Sequence, residues 1–454
     1  MEAKSFIILT MNIDAHAAYL LERLEMKGFE AYLVGGCVRD LCRGQKPSDW
    51  DIATVATPRQ VYEALSDIQV IGTGIKHGTL TAIIEKNAYE ITTYRSEGAY
   101  LDFRRPSEVS FVTKIEDDLA RRDFTINALA YHPKRGLVDP FGGRSDLEGG
   151  ILRTVGKAKA RFAEDALRIM RALRFASTFN LSIETKTVQA LRAQRRSLEF
   201  IASERIRDEL MKLLPGSNVL GVLLEFPDIL AVPIPEIEPC IGFAQRSVYH
   251  CYDVWEHTAH AVARAKPETL VRLACLFHDL GKPSAFSMDD KGAGHFRGHG
   301  AKGAAIARER LGALRFDNKT IEMVSRIITW HSATLQVGRL RRWLDRLGVD
   351  GMLTFIEVMR ADILAHSEAH TQERLDNLNE MQNALEDFLK HEPDFTRTSL
   401  VIDGSDIMAL GVEQGPRVGI LIRELLDGVL DGRLENERVT LLAEARALLA
   451  RSRC

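Results

Sequence analysis

Along the first 140 residues the spacing of apolar positions changes repeatedly. Over 14–27 they recur every three or four residues behind Asp14, which predicts an amphipathic helix with an aspartate N-cap. Residues 30–34 read as a short strand running into Gly35-Gly36, and 37–43 as a short helix. A second strand is expected from Asp49 to Thr54, just after Pro47, and a helix over 58–66. Residues 79–85 and 88–94 alternate as a hairpin turning near Asn87. From about 157 onward the period is almost entirely helical, with breaks near 215–218, 228–239, 282–294 and 391–398. The pattern predicts an α+β protein of several domains, since 454 residues exceed one ordinary core. A small mixed α/β head is expected over 1–150, followed by an elongated all-α part. The latter divides into a neck (151–215), a linker (216–244), a His-rich domain (245–390) and a helical tail (391–454).

Composition adds little to this outline. With 45% hydrophobic and 27% charged residues the chain is that of a soluble globular protein. The apolar stretch 5–13 reaches Asp14 too soon to span a bilayer and lacks a signal-peptide cleavage site, so a cytoplasmic protein without a membrane partner is expected. Met11 is an alternative start to Met1. The six cysteines form no C-x-x-C pair, which fits reduced, buried thiols. Net charge is -3, yet residues 151–215 hold fourteen Lys/Arg against seven Asp/Glu. A basic waist on an acidic protein fits a phosphate backbone and, equally, a solvated helical face.

Chemistry first appears at Leu33-Val-Gly-Gly-Cys-Val-Arg-Asp40. Gly35 and Gly36 between a strand and a helix let backbone approach a phosphate closely, with Arg39 within reach of the same anion. Next, Pro47-Ser-Asp-Trp-Asp-Ile-Ala53 places Asp49 and Asp51 on one face of a strand while Trp50 and Ile52 face the core. Two adjacent carboxylates repel unless a cation lies between them, and open oxygen ligands suit Mg²⁺. Asp49 and Asp51 are therefore candidate catalytic residues and Mg²⁺ ligands, the bland alternative being two solvated acids.

These two elements together resemble motif A of the class II nucleotidyltransferases, the superfamily of CCA-adding tRNA enzymes and bacterial poly(A) polymerases. The likeness continues through Lys76-His-Gly-Thr79, Glu90-Ile-Thr-Thr-Tyr-Arg95 and Asp102-Phe-Arg-Arg-Pro106. Arg121-Arg-Asp-Phe-Thr-Ile-Asn-Ala128 is similar to motif B, which implies that Arg122 and Asp123 contact the nucleotide's phosphates and ribose. Asp139-Pro-Phe-Gly-Gly-Arg-Ser-Asp146 is similar to the hinge-like motif C, and Ser203-Glu-Arg-Ile-Arg-Asp-Glu-Leu210 to motif E, a brace after the neck. The resemblance also leaves room for Glu90 as a further carboxylate near the metals.

Arg161-Phe-Ala-Glu-Asp-Ala-Leu-Arg-Ile-Met-Arg-Ala-Leu-Arg-Phe175 is expected on one helix. There Asp165, Arg168 and Arg171 would form a polar stripe, with Leu167, Met170 and Leu173 turned to the core. The stripe could be an ion-paired surface, Glu164 and Arg168 being an i,i+4 pair. It could also read a base. A carboxylate only accepts hydrogen bonds and a guanidinium only donates them. Cytosine and adenine both present an amino donor beside a ring-nitrogen acceptor, which Asp165 and Arg168 complement. Guanine and uracil present a carbonyl beside an N–H, so both contacts fail. In the family this E-D-x-x-R element has that role, which implies that Arg171 and Arg174 line the same nucleotide pocket.

Nine of the thirteen histidines fall between 245 and 370. Tyr252-Asp-Val-Trp-Glu-His-Thr258, Leu276-Phe-His-Asp-Leu-Gly-Lys282 and Arg360-Ala-Asp362 resemble the HD phosphohydrolase signature. The matching ligands are His257, His278, Asp279 and Asp362, for a divalent metal of unknown identity. His278 and Asp279 are adjacent and cannot share one helix stripe, so a bend or wide cleft is expected at Gly281. His295, His299 and His331 match further family positions.

The resemblance implies an enzyme that adds CCA to tRNA 3′ ends from CTP and ATP without a template, using Mg²⁺ and holding the tRNA acceptor end. It further implies an HD phosphohydrolase activity as a candidate, for instance on a 2′,3′-cyclic phosphate. Alternatives are A addition only, a poly(A) polymerase, or an HD phosphohydrolase whose head merely binds nucleotide and RNA. Residues 95–106 look full length, which disfavours CC-only addition. The tail, with eight Lys/Arg against nine Asp/Glu over 395–454, lacks the basic character of poly(A) polymerases.

Overall fold

The computed structural model describes residues 11–98, 109–246, 251–367, 371–391 and 400–451. The chain forms two compact units, Met1–Pro235 and Glu236–Cys454.

In the first unit α1 (Ala15–Met26) starts where the Asp14 carboxylate accepts the N–H groups of His16 and Ala17, so the expected N-cap forms. There follow β1 (Ala31–Val34), α2 (Gly36–Cys42), β2 (Trp50–Thr54), α3 (Pro58–Ala64), β3 (Gln69–Gly74), β4 (Thr79–Ile84) and β5 (Asn87–Thr93). A two-stranded ribbon of β6 (Arg95–Glu97) and β7 (Val109–Phe111) precedes α4 (Ile115–Ala120). Then come β8 (Ala130–His132), β9 (Gly136–Val138) and α5 (Gly143–Glu148). The sheet runs β3-β4-β5-β2-β1-β8-β9, antiparallel throughout except for the β2–β5 pair. That parallel pair sets Asp51 directly beside Glu90. Strand alternation divides two cores: Leu33, Trp50, Ile52 and Ile91 pack with Leu20, Leu21 and Leu24, and Tyr32, Val34 and Ala53 with Ile115 and Leu119. The β4–β5 turn, expected near Asn87, is centred on Glu85 and Lys86, both at positive φ (49° and 69°), and Asn87 opens β5.

The neck holds β10 (Ile151–Leu152), α6 (Ala158–Glu164), α7 (Leu167–Phe179), β11 (Ser182–Ile183), α8 (Thr185–Gln194) and α9 (Ser203–Leu213). One expectation fails here. The segment 161–175 is not one helix, because α6 ends at Glu164 and Asp165 is extended (φ -137°, ψ 106°). Its carboxylate accepts the Leu167 N–H at 3.0 Å, a side-chain bond that competes with continuing the helix and opens the next one. Leu167, Met170 and Leu173 are buried as expected. Residues 216–244, expected as a linker, include α10 (Val219–Glu225) and α11 (Pro227–Leu230), and the first unit ends within them at Pro235.

The second unit contains α12 (Val254–Arg264), α13 (Thr269–Phe277), α14 (Lys282–Ala285), a ribbon of β12 (Ser287–Met288) and β13 (Gly294–His295), α15 (His299–Ala313), α16 (Asn318–Trp330), α17 (Leu340–Leu364) and α18 (Thr371–His391). α17 is kinked at Gly348, whose φ is 72°. The tail, α19 (Gly404–Met408), α20 (Pro416–Leu430) and α21 (Arg438–Arg451), has its own core of Ile407, Leu425 and Leu441. Among the described residues no helix is long and apolar enough to cross a membrane. The motif Asp102–Pro106 and the residues 1–10 lie outside the described residues.

Candidate functional site

Two sites emerge, one in each unit. In the first, Gly35, Gly36, Arg39, Asp49, Asp51, Arg122, Asp123, Asp165, Arg168, Arg171 and Arg174 all line one cleft of about 990 Å³. Every head and neck residue named from the sequence as catalytic or nucleotide-binding is thus brought to one place. Eight arginines face four aspartates around this cleft. Such an excess of positive charge suits a polyanion such as a triphosphate.

At its floor, Trp50 and Ile52 turn into the core, so Asp51 between them projects from the opposite face of β2. Asp49 precedes the strand and is exposed. Burial raises the Asp51 pKa to about 6, against the pull of Arg122 and with the charges of Glu90 and Asp49 adding to it. This crowding of carboxylates in a partly desolvated place is what a divalent cation relieves, so the donor set fits Mg²⁺.

Gly35 has φ of 74°, and an added Cβ would lie 2.5 Å from Arg122 Nη1 and 3.8 Å from Asp51 Oδ2. Its N–H is committed to the Leu129 carbonyl (3.1 Å), so this amide belongs to the sheet and the glycine's role is to make room for Arg122. Arg39 is buried, donates to Asn127 Oδ1 at 2.9 Å and to Asp40, and lies 4.3 Å from the Phe179 ring centroid. Asp123 accepts from Arg171 Nε (2.8 Å) and Asn127 Nδ2 (3.1 Å). Burial opposes its ionisation, but Arg171 and Asn127 outweigh burial and bring its pKa to about 2. Arg174 donates to the buried Glu209 of α9 at 2.6 Å.

Both expected base readers already have partners in the protein. Arg168 is 8% exposed and donates to the main-chain oxygens of Arg161 (3.1 Å) and Arg121 (3.2 Å), and pairs with Glu164. Asp165 accepts from Arg205 Nη2 at 2.9 Å. Arg205 also lines the cleft, yet its sequence signal was only membership of the segment read as a brace. Nothing in helical periodicity could have paired residues 40 positions apart.

In the second unit, His257 of α12, His278 at the end of α13, Asp279, and Asp362 of α17 bring ligand atoms within 4.8 Å of one another, all four buried. The break falls ahead of the expected Gly281, since α13 stops at Phe277 and the next helix opens after Gly281. Gly281 lets α15 approach: an added Cβ would sit 2.4 Å from the His299 carbonyl oxygen. Asp279, His299 and His331 form an adjoining group of three. His295 does not join either group; it is half exposed and pairs with Asp289 at 2.9 Å. His366, unforeseen in the sequence, stands with its ring centroid 4.8 Å from that of His257. Lys282 Nζ lies 2.7 Å from Asp279 Oδ2, but both Asp279 oxygens and His278 Nε2 are buried without a hydrogen bond of acceptable geometry. Buried polar atoms left in this state fit a divalent metal as their partner. Burial would lower the His278 pKa, but Asp279 and Asp362 raise it to about 10. A cleft of about 610 Å³ lined by Asp279, Asp362, His299 and His331 also receives Arg246, Lys282, Arg297 and Arg374.

Comparison with known proteins places the chain in a family. The sequence matches the Poly A polymerase head domain over 31–153, the probable RNA and SrmB-binding site of polymerase A over 180–223, and the HD domain over 248–382. A CCA-adding enzyme of Lactobacillus delbrueckii subsp. bulgaricus is 47% identical over 232 residues, 51% of this chain, so the match spans a little over half (57%) of that relative. The CCA-adding enzyme of Lactobacillus johnsonii is 34% identical over 93% of this chain and 94% of its own length. Among solved structures, the Bacillus stearothermophilus CCA-adding enzyme in complex with CTP superposes with a TM-score of 0.73 at 28% identity, covering 96% of this chain and 98% of that one.

Proposed function

The chain belongs to the CCA-adding enzyme family, and from that premise we propose that it builds CCA on tRNA 3′ ends from CTP and ATP without a nucleic-acid template. The observation that carries this reading is the gathering of the Asp49 and Asp51 carboxylates, an arginine-rich wall, Asp165 and Arg168 in one cleft. The tRNA 3′-hydroxyl attacks the α-phosphate, and pyrophosphate leaves. Asp49 and Asp51 would hold Mg²⁺, which would supply positive charge at the attacking and leaving oxygens. Arg39 and Arg122 bind the triphosphate, Asp123 the ribose, and Arg171 and Arg174 form the walls of the nucleotide pocket. Asp165 accepts from the base amino group while Arg168 donates to the ring nitrogen. Because Arg168 is pinned by two carbonyls and Asp165 by Arg205, the readers are rigid, which supports selection by protein alone. The basic neck meets the acceptor arm through phosphates and shape. Three tRNA transcripts, ending before CCA, after C and after CC, each given CTP, ATP or both, test the proposal. Ordered C, C, A addition is expected. Growth of only the CC-ended transcript would reduce it to A addition.

A second reading is carried by the unsatisfied atoms of His278 and Asp279. On this reading the HD site would be a metal-dependent phosphohydrolase, in which His257, His278, Asp279 and Asp362 would hold the metal and the neighbouring Lys and Arg side chains the substrate phosphate. Metal-replete protein inactive on phosphomonoesters and on 2′,3′-cyclic phosphates would overturn it.

A further inference from the structure

Glu116, Asp117 and Asp118 look in sequence like the solvated acidic first turn of α4, and the first two are indeed exposed. Asp118 is fully buried. Its Oδ1 accepts from Arg121 Nε at 3.0 Å and from the backbone N–H of Arg95 at 3.3 Å, and its Oδ2 from Arg122 Nη2 at 3.4 Å. We infer that Asp118 is a positioning residue for the nucleotide site, fixing Arg122, the arginine given to the triphosphate, and its neighbour Arg121 and, through Arg121, the base reader Arg168.

Three links support this. First, Arg122 packs over Gly35 beside Asp51, with Nη1 donating to the Asn127 carbonyl at 3.4 Å and Nε buried without a hydrogen bond. Its direction therefore depends on the two anchors at its Nη atoms, of which Asp118 is the only charged one among the described residues. Second, Arg121 offers its carbonyl to Arg168 Nη2 at 3.2 Å, so a shift of the Arg121 backbone moves the guanidinium that reads the base. Third, the bond to the Arg95 N–H roots the β6–β7 ribbon on the same carboxylate, and Arg95 lines the cleft. One buried negative charge between two guanidiniums also keeps them from repelling each other apart before an anion enters. Without it, Arg122 is free to swing toward Asp51, whose charge already pulls on it across Gly35.

The inference rests on the reading of the cleft as a nucleotide site, and the test separates the two. CTP and ATP dissociation constants are measured by equilibrium dialysis in EDTA on the full chain, alongside kcat and KM with Mg²⁺ and a urea midpoint. Asp118→Asn keeps the side-chain shape and removes the charge. Its nucleotide affinity is expected to fall by on the order of 10- to 100-fold, the scale of an ångström misplacement of a binding group. In the Arg122→Met background the same substitution should add much less, since the group it positions is gone. Additive effects, or unchanged affinity in a folded Asp118→Asn, overturn the inference. A carboxylate that served only α4 would shift the urea midpoint and leave the dissociation constants alone. Should Asp118→Asn not fold, Asp118→Glu carries the test: it keeps the charge but displaces it by a methylene, and wild-type nucleotide affinity there sinks the idea. Arg122→Met binding CTP as wild type would instead defeat the role given to Arg122 itself.

Discussion

Replacing Asp165 by asparagine tests base selection with the smallest change of shape. In the native structure Asp165 Oδ1 accepts from Leu167 N–H (3.0 Å) and Arg205 Nη1 (3.4 Å), and Oδ2 accepts from Arg205 Nη2 (2.9 Å). An amide has one acceptor oxygen where a carboxylate has two, so in Asp165→Asn the new NH₂ opposes either Arg205 Nη2 or the Leu167 N–H. At the Oδ2 position the NH₂ faces one donor, Arg205 Nη2, and at the Oδ1 position two, the Leu167 N–H and Arg205 Nη1, each clash costing about 1–3 kcal/mol. Toward the cleft the loss is similar. The bond from a cytosine or adenine amino group to a carboxylate becomes a neutral one, and the NH₂ can now donate to a uracil or guanine carbonyl. With 1.36 kcal/mol per decade, the CTP over UTP preference should fall by roughly 5- to 150-fold. The assay is single-nucleotide extension of a tRNA transcript ending before CCA, reading kcat/KM for CTP and for UTP. A preference equal to wild type, or an equal loss for both nucleotides, would refute base reading by Asp165.

Gly35→Ala should cut nucleotide affinity by on the order of tenfold or more because its Cβ would lie 2.5 Å from Arg122 Nη1, whereas Gly28→Ala, at φ of 85° with nothing within 4 Å, should cost stability alone; CTP binding and urea unfolding separate them. Asp123 has its folded pKa depressed from 3.8 to about 2, so its contribution of about 2 kcal/mol is fully present above pH 4 and lost as pH falls toward 2. Unfolding of Asp123→Asn and wild type in urea should accordingly differ most near pH 5, with the gap narrowing toward pH 2; a gap that widens on acidification contradicts the assignment. His278→Ala should lower the metal content that elemental analysis reads after loading with a divalent metal, while CTP incorporation stays within about twofold of wild type.

Local chemistry was legible in the chain itself. Adjacent His278 and Asp279 were legible only through their resemblance to the HD signature, whereas carboxylates alternating with Trp50 and Ile52 state their chemistry within a few residues, because a strand's period fixes which side chains share a face. The head and the helical remainder could be told apart for the same reason. Long-range pairings came from packing alone. The break at Asp165 arose from its own carboxylate capping Leu167, a competition that apolar spacing does not register. The parallel β2–β5 pair set Glu90 beside Asp51, α9 delivered Arg205 to Asp165, and α4 buried Asp118 beneath two arginines. His366 reached His257 in the same way, from just past the end of α17. Such partners are chosen by how elements pack, and one residue's spacing from the next carries no record of that choice.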